Sequence, residues 1–153
     1  FAETSVNQIL TELHKRILPL ANAKNISFQL SLLKDVTAQI DSMKISLALN
    51  NLVDNAIKYT PEGGAVQVTL DADHQNFFVT VTDNGIGIPE DEVGRIFDRF
   101  YRVDKTRDRQ TGGTGLGLSI THSAVMIHNG SIKVNSKENE GTSILVRIPL
   151  RQA

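Results

Sequence analysis

The sequence predicts an α+β fold, a two-layer sandwich in which about three helices cover one face of a mixed, mostly antiparallel sheet. Three observations lead there. Apolar residues recur at helical spacing in residues 4–23, 42–59 and 116–128. They alternate with polar residues, or run briefly between turn signals, in residues 26–33, 36–40, 66–70, 77–81, 131–136 and 142–150. The order, helix, two strands, helix, two strands, a long loop, helix, two strands, sets strands side by side in pairs, which favours antiparallel neighbours with helices gathered on one side.

Each element has its own signal. Val6, Ile9, Leu10, Leu13, Ile17, Leu18 and Leu20 recur at helical spacing in an amphipathic leading helix within residues 1–24, and Pro19 is expected near or at its end. Ser42 is a candidate N-cap for the second helix, which Thr60, Pro61 and the turn Glu62-Gly63-Gly64 should stop. Val66, Val68 and Leu70 alternate, as do Phe77, Val79 and Val81, with Asp73 to Asn76 as the hairpin between them. A loop rich in Gly, Asp and Arg follows over residues 83–117, broken by a short amphipathic stretch at 93–100. The third helix should end at Asn129-Gly130, before two last strands flanking a turn at 138–141.

The bulk properties narrow the function. The 153 residues are 40% apolar and 22% charged, enough for one ordinary domain with its own core, expected to span residues 1–153. A net charge of −1 gives no electrostatic reason for a nucleic-acid groove or an anionic membrane surface. With no cysteine there is no disulfide, thiolate nucleophile or Cys-ligated zinc, which fits a reducing compartment. No apolar run approaches ~18 residues, and the first residues do not read as a signal peptide. The chain begins at Phe1 without an initiator Met, so it reads as a segment of something longer.

Four places break the patterns. Asp83 falls in phase with Phe77, Val79 and Val81, so a carboxylate is aimed at the core side of its strand. Either it caps the turn at Asn84-Gly85 or it accepts a hydrogen bond from a ligand, since an unpartnered buried carboxylate is expensive. On the second helix, at ~100° per residue, Lys44, Asn51, Asn55 and Lys58 share one edge beside the apolar stripe of Ile45, Leu49, Leu52 and Ala56. That edge is a solvated face, or its amide oxygens serve a hard cation such as Mg²⁺, because Asn is a poor helix former. Gly113-Thr114-Gly115-Leu116-Gly117 feeds directly into the third helix and matches neither the P-loop nor the Rossmann spacing. It is a flexible loop, or an anion site at a helix N-terminus with phosphate as occupant. Thr142, in phase with Ile144, Val146 and Ile148, points a hydroxyl at the apolar side and reads as a ligand group or a satisfied core Thr.

In order, "NLVDNAIKYT" (51–60), "DNGIGIP" (83–89), "IFDRFYR" (96–102) and "GGTGLGLSI" (112–120) resemble the N, G1, F and G2 boxes of sensor histidine kinases. The resemblance covers about residues 42–149 and implies the Bergerat ATP-binding fold, shared with gyrase, mismatch-repair ATPases and heat-shock chaperones. It implies ATP and Mg²⁺ as ligands, with Asp83 accepting the adenine amino hydrogen, Thr142 helping through a water, and Asn55 as the metal ligand with Asn51 close by. Lys58, Arg102 and Arg99 would meet the phosphates, and Tyr59 would lie against the purine. Gly85, Gly87, Ile88, Gly113, Thr114, Gly115, Leu116 and Gly117 would line the nucleotide, while Phe97 and Phe100 would anchor a mobile lid at 99–113. Asn51, Lys58 and Arg102 would carry catalysis.

The resemblance also implies what is missing. The family's phosphoacceptor histidine is followed by an acidic residue and, a few positions on, by a proline, and none of His14, His74, His122 and His128 has that surrounding. His14 comes nearest, with Pro19 downstream, but Lys15 follows it. The expectation is therefore a catalytic and ATP-binding domain, a monomer when isolated. It would transfer the γ-phosphoryl group to a histidine on a separate dimerisation domain, which in turn serves a response regulator. It would be cytoplasmic beneath a membrane-anchored parent, with no nucleic-acid partner and no membrane contact of its own. The alternative is an ATP-hydrolysing clamp of the gyrase or chaperone type, but those relatives carry Glu where this sequence has Asn51.

Overall fold

The computed structural model describes residues 1–85, 116–137 and 140–151. Among them, the strands β1 (Ala2–Ser5), β2 (Ser27–Leu32), β3 (Thr37–Ile40), β4 (Ala65–Ala72), β5 (Asn76–Asp83), β6 (Ser131–Lys137) and β7 (Gly141–Pro149) interleave with three helices. These are α1 (Val6–Ala23), α2 (Ser42–Tyr59) and α3 (Leu116–Ile127). The main sheet has five strands in the order β2-β4-β5-β7-β6, with β2 and β4 parallel and the other pairs antiparallel. This is the expected mixed sheet.

One face of that sheet is apolar and packed. Val66, Val68 and Leu70 of β4, Phe77, Val79 and Val81 of β5 and Ile144, Val146 and Ile148 of β7 join Leu10 and Ile17 of α1 and Ile45, Leu49 and Leu52 of α2 in one core. Burying side chains of this size stabilises the fold by roughly 1.5–3 kcal/mol each, so the period-two and period-3.6 stripes dictate the two layers.

The structure corrects three boundaries. Residues 2–5 are not helix: they form β1, which pairs antiparallel with β3 in a second, two-stranded sheet, and Ser5 caps α1 by accepting the N–H of Gln8. Pro19 lies inside α1 rather than ending it, on the exposed face. The N-cap of α2 is Asp41, whose carboxylate accepts the N–H of Lys44 at 3.1 Å, and Ser42 is the first helical residue.

The helices α2 and α3 run antiparallel. Thr121 Oγ1 donates to Ala48 O at 2.9 Å, and two turns further along each helix the N–H of Asp41 donates to His128 Nε2 at 3.0 Å. His128 is fully buried, its Nδ1 lies 2.7 Å from Ala124 O, and its ring stacks on Phe1 with centroids 4.6 Å apart. This register carries the first turn of α3 to the level of Leu52 and Val53, beside the Asn51–Asn55 edge of α2.

Candidate functional site

Across β5, β7 and β6 the core-facing side chains meet in rows. Val79, Val146 and Ile132 form one, and Val81, Ile144 and Val134 the next. The following row, at the end of the sheet, is Asp83, Thr142 and Ser136. The same face changes from apolar to polar at a single step.

Asp83 is half-buried, and burial pushes its carboxyl above the usual carboxylate range, opposed in part by the backbone N–H groups of Gly85 and Thr142. Its Oδ1 accepts the N–H of Gly85 at 2.9 Å, and no ion pair to it occurs among the described residues. It thus both caps the turn and keeps acceptor capacity facing the helical layer. Asn84 fastens the turn to β4, its Oδ1 accepting the N–H of Ala65 at 2.8 Å. A Cβ on Gly85 would stand 2.6 Å from Tyr59 O and 3.2 Å from Thr60 Cα. What approaches this glycine is the end of α2, so the turn after β5 and the last turn of α2 are held together.

That last turn carries Lys58 and Tyr59, both half-buried, and Thr60 closes it with its buried hydroxyl donated to Ala56 O at 2.7 Å. Lys24, from the end of α1, donates its ammonium to Ile57 O at 2.8 Å and Lys58 O at 3.2 Å, a cation at the negative end of the helix. One turn earlier, Asn55 Nδ2 donates to Asn51 O at 2.8 Å, which turns its Oδ1 off the helix as a neutral acceptor. That is the chemistry a hard cation already carrying phosphate and water would take, and Asn55 fits the metal role assigned to it. Asn51 and Asn55 are half-buried, while Lys44 is exposed. Asn50 has a different explanation: its Nδ2 donates to Ser46 O and its Oδ1 accepts Arg16 Nε at 2.8 Å, bridging α1 to α2.

The structure therefore gathers Asp83, Gly85 and Thr142 at one sheet end and sets Asn51, Asn55, Lys58 and Tyr59 on the helix that closes over Gly85. Leu116 and Gly117 open α3. Gly87, Ile88, Phe97, Arg99, Phe100, Arg102, Gly113, Thr114 and Gly115 lie outside the described residues, with the stretch 93–100 and the loop 99–113. Sequence reasoning missed Ser136, although it continues the period of Ile132 and Val134, and Lys24, whose role depends on tertiary contact alone. Of the histidines, His74 and His122 are exposed, His128 is buried, and half-buried His14 packs its ring 4.7 Å from Phe28. Among the described residues no His, Cys, Asp and Glu cluster could hold a metal, and no helix is long and apolar enough to cross a membrane.

A family model described as histidine kinase-, DNA gyrase B- and HSP90-like ATPase matches residues 40–152, the stretch from the end of β3 to the last strand. The chain belongs to that family. Within this ATPase family its similarity is to sensor kinases. It is 45% identical to the sensor histidine kinase WalK of Bacillus subtilis over 121 residues, 78% of this chain and 20% of WalK. It is 38% identical to RppB of Synechocystis over 146 residues, 95% of this chain and 32% of RppB. The chain thus spans about a fifth to a third of the curated relatives it matches. Among solved structures, the catalytic domain of the histidine kinase ThkA superposes with a TM-score of 0.85 at 29% identity, covering 99% of this chain and 97% of that one. Full-length ShkA, solved in complex with AMPPNP, gives 0.82 at 27% identity, covering 99% of this chain and 31% of that one. This ATPase domain is of the histidine-kinase type, and the clamp reading has less support.

Proposed function

We propose that this domain binds Mg-ATP and passes the γ-phosphoryl group to a histidine on a separate dimerisation and phosphoacceptor domain of a sensor kinase. The observation that carries the reading is the polar row Asp83–Thr142–Ser136 ending an apolar sheet face, closed over by the helix end that presents Asn55, Lys58 and Tyr59. Asp83 accepts the amino hydrogen of adenine, Thr142 assists through a water, and Tyr59 lies against the purine. Lys58 and Arg102, with Arg99, neutralise the phosphates, and the first turn of α3 adds backbone N–H groups at its positive end. Asn55 holds Mg²⁺, with Asn51 beside it, and the metal supplies charge neutralisation on the phosphate oxygens. The domain's work is then positioning and charge stabilisation, with the proton acceptor standing beside the target histidine on the other domain.

The ShkA complex with AMPPNP supports the ligand class, and a ThkA structure in complex with the response regulator TrrA supports a two-component setting. We infer a cytoplasmic domain of a membrane-anchored parent. The same proposal takes residues 1–153 as a single domain, monomeric alone. Asn51 in place of the Glu of gyrase-type relatives argues against a water-activating clamp. Calorimetric titration tests the adenine site. Asp83→Asn should weaken Mg-ATP binding by roughly 1–3 kcal/mol, the range for a broken buried hydrogen bond. Equal affinity for GTP, or no loss in the variant, refutes the assignment.

A further inference from the structure

The last turn of α2 ends in a way that leaves its carbonyls short of donors. In a continuing helix Ile57 O would accept the N–H four residues on, but that residue is Pro61, which has none. Lys58 O would look to Glu62, and the chain has already left the helix at Thr60, extended at φ −92° and ψ 126°. The Thr60 hydroxyl serves Ala56 O. Lys24 answers the other two: its Nζ donates to Ile57 O at 2.8 Å and to Lys58 O at 3.2 Å.

The end of α1 is shaped to bring that ammonium there. Helix α1 stops at Lys24, Asn25 turns the chain at φ +54°, and the N–H of Ile26 closes back on Ala21 O at 2.9 Å. The same two residues hold the turn that follows α2: Lys24 O accepts the N–H of Gly63 at 3.2 Å, and Asn25 Nδ2 donates to Glu62 Oε1 at 3.0 Å. The last turn of α2 also abuts Gly85, where a Cβ would meet Tyr59 O at 2.6 Å. Lys58 and Tyr59 therefore have two supports, and the one from α1 ends in a single long side chain. We propose that Lys24 is a positioning residue for nucleotide binding: by donating to Ile57 O and Lys58 O it replaces the N–H that Pro61 lacks and keeps the last turn of α2 wound, so that Lys58 faces the phosphates and Tyr59 the purine. This role rests on the nucleotide reading of the site and deepens it, since Lys24 acts through the turn and not on the ligand.

Calorimetry on this chain with the non-hydrolysable analogue Mg-AMPPNP tests the role. Lys24→Met, which keeps the length and loses the donors, should weaken binding roughly tenfold, the order expected of hydrogen bonds from a charged group. Lys24→Arg, which keeps donors at the end of the side chain, should stay within about threefold of the parent. Combined with Lys58→Ala and Tyr59→Leu, Lys24→Met should weaken binding about twofold or less, because its effect passes through those two side chains. The ligand-free fold gives an independent reading. With Tyr101→Phe, Tyr59 is the sole tyrosine and there is no tryptophan, so acrylamide quenching follows Tyr59 alone. Quenching should rise with Lys24→Met and return with Lys24→Arg. Should Lys24→Met not fold, Lys24→Gln, too short to bridge both carbonyls, takes its place. Affinity unmoved by the Lys24 variants, an equal loss in both backgrounds, or unchanged quenching overturns the inference. If Lys58→Ala with Tyr59→Leu leaves binding intact, the site assignment itself fails; if that pair weakens binding while Lys24→Met does not, only the role of Lys24 falls.

Discussion

Asp83 is held in two opposing ways, and each has a measurable sign. Burial disfavours its charged form, so in the fold it ionises at higher pH than in the unfolded chain. The fold therefore carries a cost from this group above its folded pKa, and that cost fades as pH falls through the window down to the ordinary carboxylate value. Asp83→Asn removes the charge and keeps an oxygen for the Gly85 N–H. The ligand-free variant should melt higher than the parent near pH 7, and the gap should close towards about pH 4; a variant that melts lower at neutral pH contradicts this. At Asn55 the expectation concerns the metal. Asn55→Ala should leave nucleotide affinity nearly independent of Mg²⁺, and a calorimetric magnesium dependence equal to the parent's would return the Asn51–Asn55 edge to an ordinary solvated face. Both Asp83 and Thr142 were legible in the sequence because period-two alternation exposes a polar residue on an apolar face. Ser136 obeys the same period but reads as a serine at a strand end. The role of Asn50 was not legible for another reason: its partner Arg16 is on a different helix, and nothing local announces the pairing.

Among elements, the start of β7 is the most constrained. Gly141 has φ +124°, and a Cβ there would run into the carbonyl oxygen of Asp83 and approach Asn84 Cα to 2.9 Å. Gly141→Ala is expected to destabilise by about 1–3 kcal/mol and to weaken nucleotide binding as well, because the strain falls on the neighbours of Asp83 and Thr142. Urea unfolding with parallel titration checks both, and a loss of stability with affinity intact would detach the strand junction from the site. The long periodic elements were readable from their stripes. The short strand β1 was not, since its four residues have no alternation of their own and exist as a strand only through pairing with β3. Nor did chain order reveal that β2 and β3, adjacent in sequence, belong to different sheets, because sheet partnership is a long-range choice. The cap of α2 fell one residue early because Asp41 and Ser42 are both good capping types.

For the whole molecule, the division of labour between domains makes a firm expectation. No histidine here is followed by an acidic residue, and His128 is enclosed between helices. Incubated with radiolabelled Mg-ATP, this chain should remain unlabelled. Adding the acceptor hairpin of its parent should place acid-labile, alkali-stable label on the hairpin, slowly, since untethered domains lose effective concentration. Acid-labile label on His14 would show the acceptor to be in α1 and overturn the domain assignment. The two-layer architecture was legible at this scale because each layer follows from its own period, whereas the closure of α2 over Gly85 depends on a contact that only folding creates.

The seam between α2 and α3 also carries a built-in reporter. A carbonyl can only accept and an amide N–H can only donate, so the contacts of His128 require hydrogen on Nδ1 and a bare lone pair on Nε2, covered by Asp41. The ring is thus locked as one neutral tautomer with its nucleophilic nitrogen shielded. An acylating reagent that footprints imidazoles should mark exposed His74 and His122 and spare His128. Any treatment that parts the two helices should unmask that nitrogen first, so acylation at His128 would count the molecules whose seam has opened, whatever else in the domain stays folded.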